Sequence, residues 1–260
     1  MKNIKKRIYD GETLIGCWLN LGSTITSEIV GSAGFDWALI DIEHGAGSEG
    51  QVLGQLQALE HTSAAAIVRV ESYQRQRFHR VLDLGAEGIM CPRIYTLNDA
   101  EQAVKGVRYQ PEGARGAARM IRAAQFGAGF EDYYANHKKN LVCIVQIETA
   151  EILDSLDSVA AIDGVDVLFV GPMDLSIALG VYGKPDHPKF VEAIKATADA
   201  AAKEGKAAGI LLKNPAEFKR YYDFGFRFIA CGSDGVFVQQ GASKTAENLK
   251  QLRESCAADK

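Results

Sequence analysis

Residues 141–148, Leu-Val-Cys-Ile-Val-Gln-Ile-Glu, and residues 165–174, Val-Asp-Val-Leu-Phe-Val-Gly-Pro-Met-Asp, read as two consecutive buried strands with a helix between them. Both are nearly continuous apolar runs, the pattern of a parallel strand covered on both faces. Each turns polar only at its end. The first closes on Gln146 and Glu148, and the second runs through Gly171, Pro172 and Met173 to Asp174. A carboxylate just past the C-terminal end of each of two neighbouring parallel strands suits a hard divalent cation, which prefers oxygen donors.

Working outward, the same signal recurs along the chain. Strand candidates are Leu14–Asn20, Asp36–Asp41, Ala65–Val70, Gly88–Cys91, Leu141–Glu148, Val165–Gly171, Ala208–Leu212 and Phe226–Cys231. Amphipathic stretches lie between them, with Val52, Leu53, Leu56 and Leu59 on one helical face and Phe78, Val81 and Leu82 on the next. Asn214-Pro215-Ala-Glu217 places a capping Asn, a Pro at the first helical position and a Glu at the third, and Gly225 is placed to end that helix. Asn98-Asp-Ala-Glu101 has the same capping-box spacing. Alternating βα units over the whole chain predict an α/β fold, a TIM (β/α)8 barrel in one domain spanning 1–260, with a doubly wound open sheet as runner-up. One connection is long: between the fourth and fifth strands, residues 109–140 carry Arg115, Arg119, Arg122 and the aromatics Phe126, Phe130, Tyr133 and Tyr134. At the C-terminal face of a barrel such an excursion is expected to be a lid or a subunit contact.

Composition narrows the function classes. A net charge of −4 over 260 residues disfavours nucleic acid or an anionic membrane as partner. The basic start, Met1-Lys-Asn-Ile-Lys-Lys-Arg, is followed by no apolar run, so it does not read as a signal peptide. No run approaches the roughly 18 apolar residues of a membrane span. The expectation is a soluble cytoplasmic protein. Cys17, Cys91, Cys143, Cys231 and Cys256 form no CxxC pair and read as reduced thiols, most of them buried.

In a barrel, catalytic groups gather where the strands end. The second strand ends in Asp41-Ile-Glu43-His44, the third carries Arg69, the fifth ends in Gln146-Ile-Glu148, and the sixth leads to Asp174. Each has a plainer reading. His44 could cap the next helix, Arg69 could pair with Asp41 or Glu43, and Glu148 and Asp174 could be helix N-caps.

Together these residues resemble the metal-dependent pyruvate aldolases of the HpcH/HpaI family. The matching pieces are Phe35-Asp-Trp-Ala-Leu-Ile-Asp-Ile-Glu-His44, Leu82-Asp-Leu-Gly85, Gly113-Ala-Arg-Gly116, Val145-Gln-Ile-Glu-Thr149, Gly171-Pro-Met-Asp-Leu-Ser176 and Gly209-Ile-Leu-Leu212. The resemblance implies a barrel of the phosphoenolpyruvate/pyruvate-domain type that exchanges its C-terminal helix between subunits and assembles as a hexamer, a trimer of dimers. It implies metal ligation by Glu148 and Asp174, with Mg²⁺, Mn²⁺ or Co²⁺ as the cofactor. Substrate contacts fall to Gln146 and the Gly171-Pro172-Met173 turn, and Asp41 and Leu211 join that group. Arg69 would steady an enolate oxygen, His44 would act as general base, and Asp83 would orient it from a neighbouring subunit. The implied reaction is reversible cleavage of a 4-hydroxy-2-keto acid to pyruvate and an aldehyde.

Three other readings stay open. A Schiff-base aldolase would need Lys213, just after the seventh strand. A CoA-thioester lyase of the same fold would need a basic cluster that is not evident, and Asp234 in Gly232-Ser-Asp-Gly235 weakens a phosphate site there. A non-catalytic keto-acid-binding protein would be expected to have lost His44 or a metal ligand. Arg119 and Arg122 could read a distal carboxylate or bridge subunits.

Overall fold

The computed structural model of the chain describes residues 2–258. Its strands are β1 (Leu14–Leu19), β2 (Trp37–Asp41), β3 (Ala65–Arg69), β4 (Gly88–Cys91), β5 (Val142–Ile147), β6 (Val167–Val170), β7 (Ala207–Leu212) and β8 (Phe226–Ser233). They pair in parallel in chain order, and β8 returns to β1 through Leu14 opposite Phe228 and Ile15 opposite Ile229. That closing pair excludes the open sheet and makes the fold a TIM-type barrel.

The helices are α1 (Ile4–Tyr9), α2 (Thr24–Gly31), α3 (Glu49–Glu60), α4 (Arg75–Leu84), α5 (Leu97–Val107), α6 (Phe130–Asn140), α7 (Leu156–Ala161), α8 (Pro172–Ala178), α9 (Pro188–Lys203), α10 (Phe218–Asp223) and α11 (Asp234–Ala258). Val52, Leu56 and Leu59 of α3 and Phe78, Val81 and Leu82 of α4 are buried against the outer wall of the barrel, as their spacing predicts. Asn214 caps a short 3₁₀ turn leading into α10, accepting from the Ala216 N–H at 3.0 Å, and Gly225 follows that helix at φ 96°.

The inside of the barrel is filled by aromatic rings. Trp37 stacks on Phe228 with centroids 4.1 Å apart and meets Phe169 edge-on at 6.3 Å. Room for the indole comes from Gly16, which is paired with Trp37 across β1 and β2. A Cβ at Gly16 would sit 2.1 Å from the Trp37 ring. The N-terminal end is closed by α1, whose Ile4 and Ile8 join this inner cluster. Here the basic start of the chain finds its use: Lys5 Nζ lies 3.0 Å from the fully buried carboxylate of Asp166, which also accepts from Tyr9 Oη at 2.8 Å.

Three expectations need correction. The capping box of α5 is formed by Thr96 and Asp99, not by Asn98 and Glu101; Asp99 N–H donates to Thr96 Oγ1 at 3.2 Å and Thr96 N–H to Asp99 Oδ2 at 2.9 Å. A hydroxyl at the N-cap with a carboxylate three residues on satisfies two orphan donors, so the helix starts earlier. The long excursion follows α5 and therefore emerges at the N-terminal end of the barrel, away from the mouth, where it is no lid. Arg122 goes with it, donating to the Leu84 carbonyl at 2.8 Å and pairing with Glu60, both at the ends of helices that lead back into strands. Arg119 pairs with Glu131 at the start of α6. Neither reaches the mouth of its own barrel, which leaves the subunit-contact alternative for both.

All five cysteines are free; Cys17, Cys91 and Cys143 are buried, Cys231 is half-buried and Cys256 is exposed. No helix of the described residues is long and apolar enough to cross a membrane.

Gly16→Val tests the inner packing. Overpacking against Trp37 is expected to cost about 3 kcal/mol, read as a lower urea midpoint with unchanged slope. An unchanged midpoint would mean that the aromatic cluster yields freely.

Candidate active site

Parallel strands all present their C-terminal ends to one mouth, and the polar residues sit there because the strand interiors have no place for them. Asp41, the last residue of β2, holds two things at once. Its Oδ1 accepts from the backbone N–H groups of Glu43 at 3.1 Å and His44 at 3.2 Å, fixing the turn that follows the strand. Its carboxylate also grips Arg69 at the end of β3, through Nε at 3.0 Å and Nη2 at 2.7 Å. Arg69 Nη1 lies 3.1 Å from Glu43 Oε2. Both oxygens of Asp41 are thus engaged within the chain, so it positions Arg69 and the His44 turn instead of offering a free oxygen to a ligand. Arg69 pairs with both of its candidate carboxylates and is held in one orientation, with its guanidinium carbon 5.8 Å from the Trp18 ring.

The second group forms around Glu148, just beyond β5 and 5% exposed. Its Oε1 accepts from the Arg93 backbone N–H at 2.7 Å, and its Oε2 from Gln146 Nε2 at 3.0 Å. Burial pushes its pKa up to about 7; the Arg93 N–H pulls the other way, and the nearby charges of Asp174 and Glu43 push it further up. Asp174 is exposed in the first turn of α8. Gly171, at the N-cap of that helix, lets the two elements close together, since a Cβ there would stand 2.3 Å from Glu148 Oε2. Gln146 Oε1 is buried with no hydrogen-bond partner.

These residues fit a hard divalent cation. A buried carboxyl raised toward neutrality beside a second carboxylate, and an acceptor oxygen without a donor, are polar demands that a cation with its bound ligand would meet. Among the described residues no group of three or more His, Cys, Asp or Glu side chains could hold a metal ion, so a cation here would draw on the two carboxylates and on water and ligand for the rest. Such a set suits Mg²⁺ or Mn²⁺ rather than structural zinc. Neither carboxylate is a helix cap: α8 is preceded by Gly171, and the 3₁₀ turn after β5 by Ala150.

His44 stands at the rim with its side chain 58% exposed and Nε2 3.7 Å from Glu43 Oε1. It caps no helix, because Ser48 begins α3 with its own capping box to Gln51. Burial raises the pKa of Glu43 above its ordinary range, against the pull of Arg69. Leu211 of β7 packs against the inner aromatic cluster, and Met173 is exposed beside Asp174. Asp83 does not join the cluster within the chain. It lies near the end of α4, where its Oδ1 accepts from Arg115 Nη2 at 2.7 Å.

The residue that sequence reasoning missed is Arg93. It follows Cys91-Pro92 at the end of β4 with φ 52°, a left-handed backbone uncommon outside glycine. Its N–H secures Glu148, and its Nε lies 3.8 Å from Glu43 Oε1. A Pro directly after a buried strand was the one available signal, and it marks a turn without saying where the next side chain points.

Comparison with known proteins identifies the family. The model of the family described as HpcH/HpaI aldolase/citrate lyase matches residues 14–240. The 5-keto-4-deoxy-D-glucarate aldolase of Shigella boydii is 41% identical over 238 residues, covering 91% of this chain and 92% of that protein. An HpcH/HpaI aldolase/citrate lyase family protein from Burkholderia cenocepacia superposes with a TM-score of 0.91 at 35% identity, covering 96% of this chain and 100% of the other. The HpcH/HpaI aldolase of Desulfitobacterium hafniense gives a TM-score of 0.88 at 26% identity, over 95% and 96% of the two chains. With the family model matched over residues 14–240, a relative 41% identical over 91% of its length and the same barrel, the chain belongs to the HpcH/HpaI aldolase/citrate lyase family.

Proposed function

We propose that this chain, an aldolase of that family, cleaves a 4-hydroxy-2-keto acid to pyruvate and an aldehyde with the help of a divalent cation held by Glu148 and Asp174. The relatives named for 5-keto-4-deoxy-D-glucarate make a keto-deoxy sugar diacid the first substrate to try. The observation that carries the reading is the Gln146–Glu148 pair, a buried carboxylate with a partnerless amide oxygen beside it, at the end of a strand and against the Gly171 turn.

A bound Mg²⁺, Mn²⁺ or Co²⁺ supplies Lewis-acid polarisation of the keto group. Gln146 and the main chain of Gly171, Pro172 and Met173 orient the keto acid. Arg69, clamped by Asp41 and Glu43, presents a permanent charge to the oxygen that becomes enolate, and because the clamp is already formed it needs no rearrangement as charge develops. His44 at the rim takes the proton of the 4-hydroxyl, with Glu43 alongside to steady the imidazolium that results. Asp83, turned outward on α4, is supplied to that histidine by a neighbouring copy. A second copy also explains α11, which leaves the barrel with Val236, Phe237, Val238, Leu249 and Leu252 exposed and only Asp234 buried. The assembly is accordingly a hexamer of helix-exchanged dimers. Asp234 fills the place after β8 where barrels bind phosphate, accepting from Asn20 N–H at 2.9 Å and Thr26 Oγ1 at 2.7 Å, and this favours an unphosphorylated substrate.

Pyruvate release from 4-hydroxy-2-keto acids, followed with EDTA or with added Mg²⁺ or Mn²⁺, is expected to depend on the metal and to fall by about 10²-fold or more in Glu148→Ala. Release that survives both EDTA and the substitution would overturn the metal reading and direct attention to Lys213. Independently of turnover, Mn²⁺ at 100 times its dissociation constant is expected to stabilise EDTA-stripped wild type by about 2.7 kcal/mol, seen as a raised Tm. The same Tm rise in Glu148→Ala would place the cation elsewhere. Truncation after Gln239 is expected to reduce the assembly to smaller species by light scattering, and an unchanged number of chains per assembly would rule out helix exchange.

A further inference from the structure

Arg93 is the cation of the mouth whose side chain remains uncommitted. Arg69 gives its three nitrogens to Asp41 and Glu43. Arg93 is held only by its backbone, through the 2.7 Å bond to Glu148, while its guanidinium makes no side-chain hydrogen bond among the described residues and comes no nearer to a carboxylate than the 3.8 Å to Glu43. Its side chain is 57% exposed. A left-handed backbone at a non-glycine residue is costly, and here it aims the side chain across the mouth from β4 toward the turn after β2.

Where it is aimed matters. Glu43 Oε1 is the shared neighbour of Arg93 Nε and of His44 Nε2, at 3.8 and 3.7 Å. The open guanidinium therefore stands on the histidine side of the site, next to the group that handles the 4-hydroxyl, although its backbone is anchored at Glu148. What projects there is the aldehyde half of the substrate. A planar fork of donors matches a carboxylate in two parallel hydrogen bonds, and a surrounding rim of Glu43, Glu148 and Asp174 would otherwise repel any anionic end group.

We propose that Arg93 is the specificity-determining residue for the aldehyde, binding a terminal carboxylate a short way beyond C4 and so selecting keto acids that are dicarboxylic. This rests on the aldolase reading above and assigns the far end of the same site.

The test is pyruvate condensation in the presence of Mg²⁺ with two acceptors that differ in one group: tartronate semialdehyde, which ends in a carboxylate, and glyceraldehyde, which ends in a hydroxymethyl. Arg93→Gln is expected to lower kcat/KM about 30-fold or more with tartronate semialdehyde, mostly in KM, and less than about 3-fold with glyceraldehyde, since the backbone N–H to Glu148 is retained. Arg93→Lys should recover part of the loss through charge alone. Equal losses with both acceptors would overturn the assignment and make Arg93 a support for Glu148. No loss with either would show the guanidinium to be an unused surface group. Wild type that condenses pyruvate with neither acceptor, in contrast to wild type that uses both alike, would refute the aldolase reading itself.

Discussion

The constraint on which everything rests is the closure of β8 onto β1. A parallel sheet with free edges leaves backbone donors and acceptors unpaired, and rolling eight strands into a ring removes those edges. The helical crossover between successive strands gives them all the same direction, so that in the closed ring all strand ends face one mouth. Asp41, Arg69, Glu148 and the Gly171 turn come from elements far apart in the chain, and the register of the ladder brings them together: Asp41 is paired with Arg69 across β2 and β3, and Gln146 with Phe169 across β5 and β6. The site's precision is the precision of that ladder.

The aromatic filling makes closure affordable in volume. Trp18, Trp37, Phe169 and Phe228 occupy the interior, and small residues opposite them admit the rings. Apolar rings below the mouth also set its electrostatics. Glu148 is buried at the strand ends with little solvent, which is why its pKa rises to about 7, while the exposed Asp174 adds to the rise. Two carboxylates with such different surroundings make an asymmetric pair, one deep and one open.

Much of this was legible in the sequence, for a physical reason. Strands buried on both faces have to be apolar throughout, so β1 to β8 stand out as runs, and their predicted ends fall within two residues of the observed ones. The residues at the mouth stand out because Asp41, Arg69, Gln146 and Glu148 are polar where the pattern has just been apolar. Other features leave no such trace. The end of the barrel at which residues 109–140 emerge depends on α5 starting at Leu97, which is decided by Thr96 and Asp99. Asp83 has a role only through what stands opposite it, and its Arg115 partner in the chain comes from a loop 32 residues on. Arg93 acts through a backbone N–H and a left-handed φ, neither of which its identity encodes.

The plug at the other end of the barrel governs the order of events. With α1 seated under the rings and Lys5 and Tyr9 tied to Asp166, the molecule has a single door. In the reaction proposed above, the keto acid end is innermost, beside Gln146 and Glu148, and the aldehyde half outermost, beside His44 and Arg93. Molecules in a blind tube leave in the reverse of the order in which they entered. With that pose, the aldehyde departs before pyruvate can, and in the direction of synthesis pyruvate is already seated when the aldehyde arrives, so plug and pose together impose a queue on the chemistry.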